Sequence, residues 1–485
     1  MSFTSLTFIL FFVSAAAVGF HLLSFHSRKL ADWYLILMSL VFYAKAGADC
    51  LLVLLFSLAV TYLCHLGNVG KAGEGRRKAF LVLGIAVNLG LLGIFKYTGF
   101  VLQNIGLLTG TQMPEVRLFL PLGISFVAFG QISFLVDAAK DGERRGLRDY
   151  LLYALFFPKV TQGPIMLYRD WEQEYRKKCE GKHSIDYRLL NRGIILFAAG
   201  LAKKIFLADV FGGAVDWGFQ NMSLLTRADT LVIMVSYSLQ IYFDFSGYSD
   251  MASGLAALLG FELPVNFDSP YQAESVTDFW RRWHMSLTAF FREYVYFPLG
   301  GSRRGKLRTY GNILIVFLLS GLWHGANWTF VVWGLVHGCF QVAERFLGKI
   351  FLAVPVVLRR IYTFAVATVL WTLFRCPDFA EFERIRWHLL VDEAMIINPM
   401  ILDCFRIPGI RLGLSLLHVS YGEAAVSHAG VVLYLAAGLF LSMGVPNLQR
   451  RELPRNLAVL LAALVFLLAG ILSLGGVSTF VYNSF

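Results

Sequence analysis

Apolar stretches of about 17–25 residues, separated by short basic loops, recur along the whole chain, and this alternation decides most of what it can fold into. A helix needs roughly 20 apolar residues to cross about 30 Å of hydrocarbon. Windows of that kind lie at 3–23, 31–48, 50–66, 80–97, 117–137, 189–208, 228–247, two within 309–344, then 356–374, 429–446 and 457–474. They predict an all-α polytopic membrane protein of about 12 transmembrane helices. Only 15% of the 485 residues are charged and 57% are hydrophobic, whereas soluble domains carry about 25% charged residues. The net charge of +11 sits in loops at 24–30, 67–79, 138–149, 166–188, 251–308, 345–355 and 447–456. Placing every basic loop in the cytoplasm makes the crossings alternate without conflict and leaves both termini outside. The charge therefore reads as topology and not as nucleic-acid binding. The start, "MSFTSLTFILFFVSAAAVGF", lacks a basic n-region and reads as a first span rather than a cleaved signal peptide.

Two stretches do not fit simple spans. "YLLYALFFPKVTQGPIMLY" is interrupted by Pro158 and by Gly163-Pro164, which predicts a re-entrant or interfacial segment buried in protein. Residues 262–308 are aromatic and basic without being continuously apolar. Trp280, Trp283, Phe290, Phe291, Tyr294 and Tyr296 alternate there with Arg281, Arg282 and Arg292, the pattern of helices lying in a cytoplasmic interface. No repeat or flexible linker divides the chain. We read 1–485 as one integral membrane domain, with N-terminal helices 1–137, a core 138–375 and C-terminal helices 376–485. The six cysteines are scattered and form no CxxC pair, so neither a disulfide framework nor a metal site is indicated.

The run "FLLSGLWHGANWTFVVWG" (317–334) carries His324 among aromatic, small and aliphatic residues. Ionisable groups at membrane depth are functional candidates; the alternative is a hydrogen-bonded core histidine. Gly321 and Gly325 bare one helix face beside it, for a second helix or for a ligand. Asn327 and Trp328 follow three and four residues on, near the same face. His284 lies upstream in the arginine-rich segment. One histidine at depth and one at the cytoplasmic surface predict a path between them. A buried neutral imidazole suits proton abstraction from a hydroxyl or thiol. In "YSLQIYFDFSGYSDM", Asp244 lies deep in a span and must face a partner or water; a structural pair with Lys203, Lys204 or an arginine and a direct site role are both open, and Tyr248 lies on the following turn. His337 and the remaining histidines, His183 and His418 among them, read as incidental. There is no HExxH and no GxSxG, "GGSRRGKL" lacks the Ser or Thr of a P-loop, and Ala289 stands where an HxxxxD acyltransferase would have its acid.

Six blocks then resemble, in order, the membrane-bound O-acyltransferase (MBOAT) family, and its bacterial alginate O-acetyltransferase branch most. They are "LPLGISFVAFGQISFLVDAAKDG" (120–142), "FFPKVTQGPI" (156–165), "GLAKKIFLAD" (200–209), "YSLQIYFDFSGYSDMASG" (237–254), "FWRRWHMSLTAFFREYVYFPLGGSRRG" (279–305) and "FLLSGLWHGANWTFVVWGLVHG" (317–338). The resemblance implies helices around a central tunnel, in the bacterial inner membrane. His324 matches the family's buried catalytic histidine and His284 its second one. It implies acetyl-CoA as a cytoplasmic donor substrate, no permanently bound cofactor, an extracytoplasmic polysaccharide acceptor (alginate-like or peptidoglycan) and a periplasmic esterase-like partner. Beside it we expect Arg281, Arg282 and Arg292 to meet donor phosphates, Trp283 to line the donor mouth, and Trp323, Asn327 and Asp244 or Tyr248 to wall the tunnel. Gly321 and Gly325 would leave room for the thioester arm. D-alanyl transfer to teichoic acid, and a transporter or scaffold of a polymer-secretion complex, are the competing readings.

Overall fold

The computed structural model describes residues 1–69, 73–114, 116, 118–179, 184–406, 422–451, 457–474 and 480. His183 and His418 lie outside the described residues. Every regular element among those described is helical. In chain order they are α1 (Val13–His26), α2 (Arg28–Ala44), α3 (Ala48–Asn68), α4 (Glu74–Thr109), α5 (Ile124–Asp141), α6 (Leu147–Leu155), α7 (Phe157–Val160), α8 (Tyr168–Cys179), α9 (Tyr187–Lys203), α10 (Asp209–Gln220), α11 (Arg227–Leu258), α12 (Val276–Arg282), α13 (Met285–Phe291), α14 (Lys306–His324), α15 (Trp328–Leu347), α16 (Lys349–Ala353), α17 (Val356–Arg375), α18 (Phe379–Leu390) and α19 (Pro399–Cys404). Helices Glu423–Leu439 and Leu457–Leu472 follow. Among the described residues, five helical stretches are long and apolar enough to cross a membrane: Phe8–His26, Ala48–Asn68, Glu74–Thr109, Val356–Arg375 and Ala425–Arg450.

Two helices outrun their apolar windows. α4 continues past 97 to Thr109 and stops at Gly110, which takes the left-handed conformation at φ 67°. Its 36 residues span about 54 Å at 1.5 Å each. α11 continues past 247 to Leu258 because the polar residues that end the hydropathy signal have partners. Ser249 accepts from Asn266, Asp250 takes Lys203 and Gln449, and Ser253 accepts from Gln449. A capping box starts the helix: Thr226 Oγ1 accepts from Asp229 N (3.1 Å) and Asp229 Oδ2 from Thr226 N (3.0 Å).

α11 is buried over nearly its whole length and packs against α9, α10, α17 and α18. Glycines set its contact with α9. A Cβ built on Gly254 would lie 2.7 Å from Gly193 O, and one on Gly247 2.8 Å from Gly200 O. The two antiparallel backbones therefore touch directly. The segment 150–168 is buried almost throughout, so its broken backbone is enclosed by protein. The expectation that the aromatics of 262–308 face a membrane interface is corrected. Trp280, Trp283, Phe290 and Phe291 are all buried inside the protein, while Arg281 is exposed. The aromatics point inward because α12 and α13 are short and folded under α14 and α15, leaving the arginines as the outer face.

Candidate active site

α14 ends at His324, because Gly325 adopts extended backbone (φ −167°, ψ 155°) and α15 restarts three residues later. The histidine thus sits at the corner of a helical hairpin, not within a helix as its place in an apolar run predicted. Its ring is buried and enclosed by aromatics, with centroids 4.7 Å from Trp323, 5.1 Å from Trp333 of α15 and 5.1 Å from Phe374 of α17. The last carbonyls of α14 are met by its neighbour α4. Lys96 Nζ donates to Trp323 O and to His324 O (2.9 Å), and the Tyr97 hydroxyl donates to Leu322 O.

His284 reaches the same place from another direction. The chain turns from α12 into α13 at His284, a non-glycine residue in the left-handed region (φ 44°, ψ 52°), a conformation that persists only where the surroundings hold it. Asn266 supplies the hold: its carbonyl accepts from Met285 N (2.9 Å), and its side-chain Oδ1 meets Ser286 N (3.3 Å), Ser286 Oγ (2.8 Å) and His284 Nδ1 (3.0 Å). Because a backbone N–H already donates to Oδ1, that atom is the amide oxygen, so His284 Nδ1 carries the proton and Nε2 the lone pair. Among the described residues Nε2 has no hydrogen-bond partner. The His284 ring lies edge-on to Phe245 (4.7 Å) and 5.9 Å from Trp323.

Both imidazoles therefore rest against one indole. This corrects the expectation of one histidine at depth and another at the surface, since His284 is 0% exposed. Trp323 also faces outward: it stacks on Phe129 (5.7 Å) and walls a cavity of about 750 Å³ between α4, α5, α13 and α14. Lys140, Glu293 and Tyr294 lie along that cavity too, and neither histidine lines it. Trp323 stands between the cavity and the rings.

The structure gathers some of the expected residues and separates others. The glycines do not leave room for a substrate arm. A Cβ on Gly321 would collide with the carbonyl of Phe330 and one on Gly325 with the Phe330 ring, so both glycines serve the approach of α14 to α15. Asn327 does not face the histidine: it caps α15, Oδ1 accepting from Thr329 N (3.1 Å), and its amide donates to Pro377 O. Trp328 turns away and donates to Asn104 (2.9 Å). Asp244 forms the structural pair, 2.7 Å from Lys204, which also holds Asp209 at 2.9 Å. The Tyr248 hydroxyl bonds Thr161 (2.6 Å), and its ring stacks on Phe3 (4.8 Å), so it walls neither histidine. Trp283 is wholly buried among Phe267, Phe279 and Trp371 and lines no mouth. Arg282 pairs with Asp278 (3.0 Å), Arg292 is 54% exposed, and Arg281 is exposed. Residues missed from sequence are Asn266, Lys96, Trp333, Phe374 and His337. His337 accepts from Trp280 Nε1 (3.2 Å) and lies 5.0 Å from Trp333, in the same aromatic cluster. A lysine within an apolar window was the one available signal among them.

Comparison with known proteins identifies the family. The sequence signature of the MBOAT, membrane-bound O-acyltransferase family matches residues 87–378. The chain belongs to that family. The matched span holds the site from Lys96 to Phe374, and the protein is an acyltransferase whose apolar helices make it a multi-pass membrane protein. It is 34% identical over 408 residues to the peptidoglycan O-acetyltransferase of Helicobacter pylori, covering 78% of this chain and 77% of that one. It is 35% identical over 406 residues to the probable alginate O-acetylase AlgI of Pseudomonas aeruginosa, covering 81% and 75%. The teichoic acid D-alanyltransferase of Bacillus subtilis is 31% identical over 250 residues, 49% of this chain and 62% of that protein. Family membership sets aside the transporter and scaffold readings.

Proposed function

We propose that this MBOAT protein moves acetyl groups from acetyl-CoA on the cytoplasmic side to hydroxyls of an extracytoplasmic polysaccharide, with His324 as general base. The observation that carries the reading is the pair of buried imidazoles against Trp323, within the span that defines the family. An acceptor hydroxyl would give its proton to the His324 lone pair as its oxygen attacks the thioester carbonyl. The C–O bond forms, the C–S bond breaks, and the proton passes to the departing thiolate. We assign His284 the second acid–base position, since its Nε2 lone pair is defined. The cavity walled by Trp323 is our candidate donor approach, and Arg281 and Arg292 our candidate phosphate contacts. Around this site we place about 12 crossings of the bacterial inner membrane in one domain, with basic loops inside and a periplasmic esterase-like transferase completing delivery to the polysaccharide.

Acetyl transfer is favoured over D-alanyl transfer because the O-acetylating relatives cover about four-fifths of the chain, against about half for the D-alanyltransferase. The test is mass spectrometry of envelope glycans from cells with and without the protein, scoring acetyl and D-alanyl esters. Acetyl esters lost on deletion and restored by the wild type but not by His324→Ala support the reading. Loss of D-alanyl esters alone refutes the donor class. Restoration by a well-folded His324→Ala protein refutes the base.

A further inference from the structure

We infer that Lys96 is the positioning residue for His324, an inference that rests on the base assignment above. On α4 the residues Gly84, Asn88 and Leu92 form the buried ridge, and Lys96 is the next step of four along it. That ridge faces the protein, so the ammonium is turned inward. No carboxylate lies within ion-pair distance of it among the described residues. Its donors go instead to two carbonyls, those of Trp323 and of His324 itself. An unneutralised cation in an apolar span is costly and is kept where it has a task.

The task follows from how α14 ends. The final carbonyls of a helix have no partner within it, and here Trp323 and His324 are buried, so water does not supply one. Gly325 turns extended, and the single backbone bond across the end, Gly325 N to Gly321 O, is long at 3.4 Å. Lys96 and Tyr97 meet the remaining three carbonyls, and the positive charge lies at the negative end of the helix dipole. Take Lys96 away and the last turn is free to unwind, carrying the His324 ring off Trp333 and Phe374. The same grip fixes Trp323, and with it the indole that both histidines share.

The experiment uses full-length protein in lipid nanodiscs with radiolabelled acetyl-CoA, reading coenzyme A release, with His324→Ala run alongside and melting curves for each variant. Lys96→Met should lose about 100-fold in kcat, the scale of a misplacement of about 1 Å at a reacting group. Its KM for acetyl-CoA should stay within about threefold, since no ground-state contact is removed. Lys96→Arg keeps two N–H donors and the charge, and should recover most of the loss. Should Lys96→Met fail to fold, Lys96→Gln, whose shorter uncharged side chain stops short of the two carbonyls, takes its place and should likewise lose kcat; wild-type kcat in a folded Lys96→Gln protein also overturns the inference. Wild-type kcat in Lys96→Met, or a loss that a folded Lys96→Arg does not recover, overturns the inference. Full activity in His324→Ala overturns the base assignment instead, and the two failures are thereby told apart.

Discussion

Replacing Asn266 with alanine should separate the tautomer of His284 from its mere presence. Asn266 is 0% exposed, and its Oδ1 takes His284 Nδ1–H, Ser286 N–H and Ser286 Oγ–H. The Ser286 hydroxyl can rotate, but the other two donors cannot leave. Two orphaned buried donors at about 1–3 kcal/mol each put the destabilisation near 2–6 kcal/mol. Activity should fall further than stability, because an imidazole free to move its proton to Nε2 loses the lone pair there, and a positioned acid–base group is worth about 10²–10⁴-fold. Asn266→Asp keeps the acceptor, and the Ser249 hydroxyl, 3.2 Å from the amide nitrogen in the wild type, can turn to donate to the second oxygen. The aspartate variant should therefore retain most of the turnover that the alanine variant loses. The assay is acetyl transfer per folded molecule, with melting curves and ¹⁵N histidine spectra of wild type and variants. Wild-type turnover in a folded Asn266→Ala protein, or a His284 that carries its proton on Nε2 in the wild type, would refute the reasoning.

Other substitutions probe the surrounding fold. Gly321→Ala puts a Cβ against the Phe330 carbonyl and should destabilise the protein by about 1–3 kcal/mol through overpacking, while Gly90→Ala, which meets open space inside α4, should not lower the melting temperature in the same assay. Asp244→Asn takes one carboxylate from Lys204, which keeps Asp209, and should cost about 1–3 kcal/mol. The double variant Asp244→Leu, Lys204→Met should recover much of that if the pair is structural, and a double variant as unstable as the single one would contradict it. Arg281→Glu should raise the KM for acetyl-CoA about fivefold, the effect of ~1 kcal/mol for an exposed charge contact. Arg282→Glu should do less because Arg282 is already held by Asp278; equal KM values in both variants and the wild type would leave these arginines to topology.

Helical class and the sequence blocks were legible because apolar periodicity and local motifs are written in neighbouring residues. The ends of α4 and α11 were not, since Ser249, Asp250 and Ser253 look like the close of a span until their partners 266, 203 and 449 are known. His324 and His284 were each visible as unusual residues. That they meet at one indole depends on α12 and α13 folding back beneath the α14–α15 hairpin, which no local pattern encodes. The two glycines carried two meanings, and helix approach prevailed over ligand room because Phe330 fills the space. Lys96, standing second from the end of its apolar window, resembles a lysine snorkelling to the interface. Only the carbonyls of another helix reveal that it points inward.

The pairing of α9 with α11 has a consequence for how the protein is made. Neither is among the five stretches apolar enough to cross a membrane by themselves. α11 carries Asp244 and Asp250, each opposing insertion by about 2.5–3.5 kcal/mol if it entered lipid alone at the helix centre. Their lysines, Lys203 and Lys204, sit at the end of a helix that leaves the ribosome first. As a pair the two segments are charge-matched with glycines face to face, which favours their insertion together over the insertion of either alone.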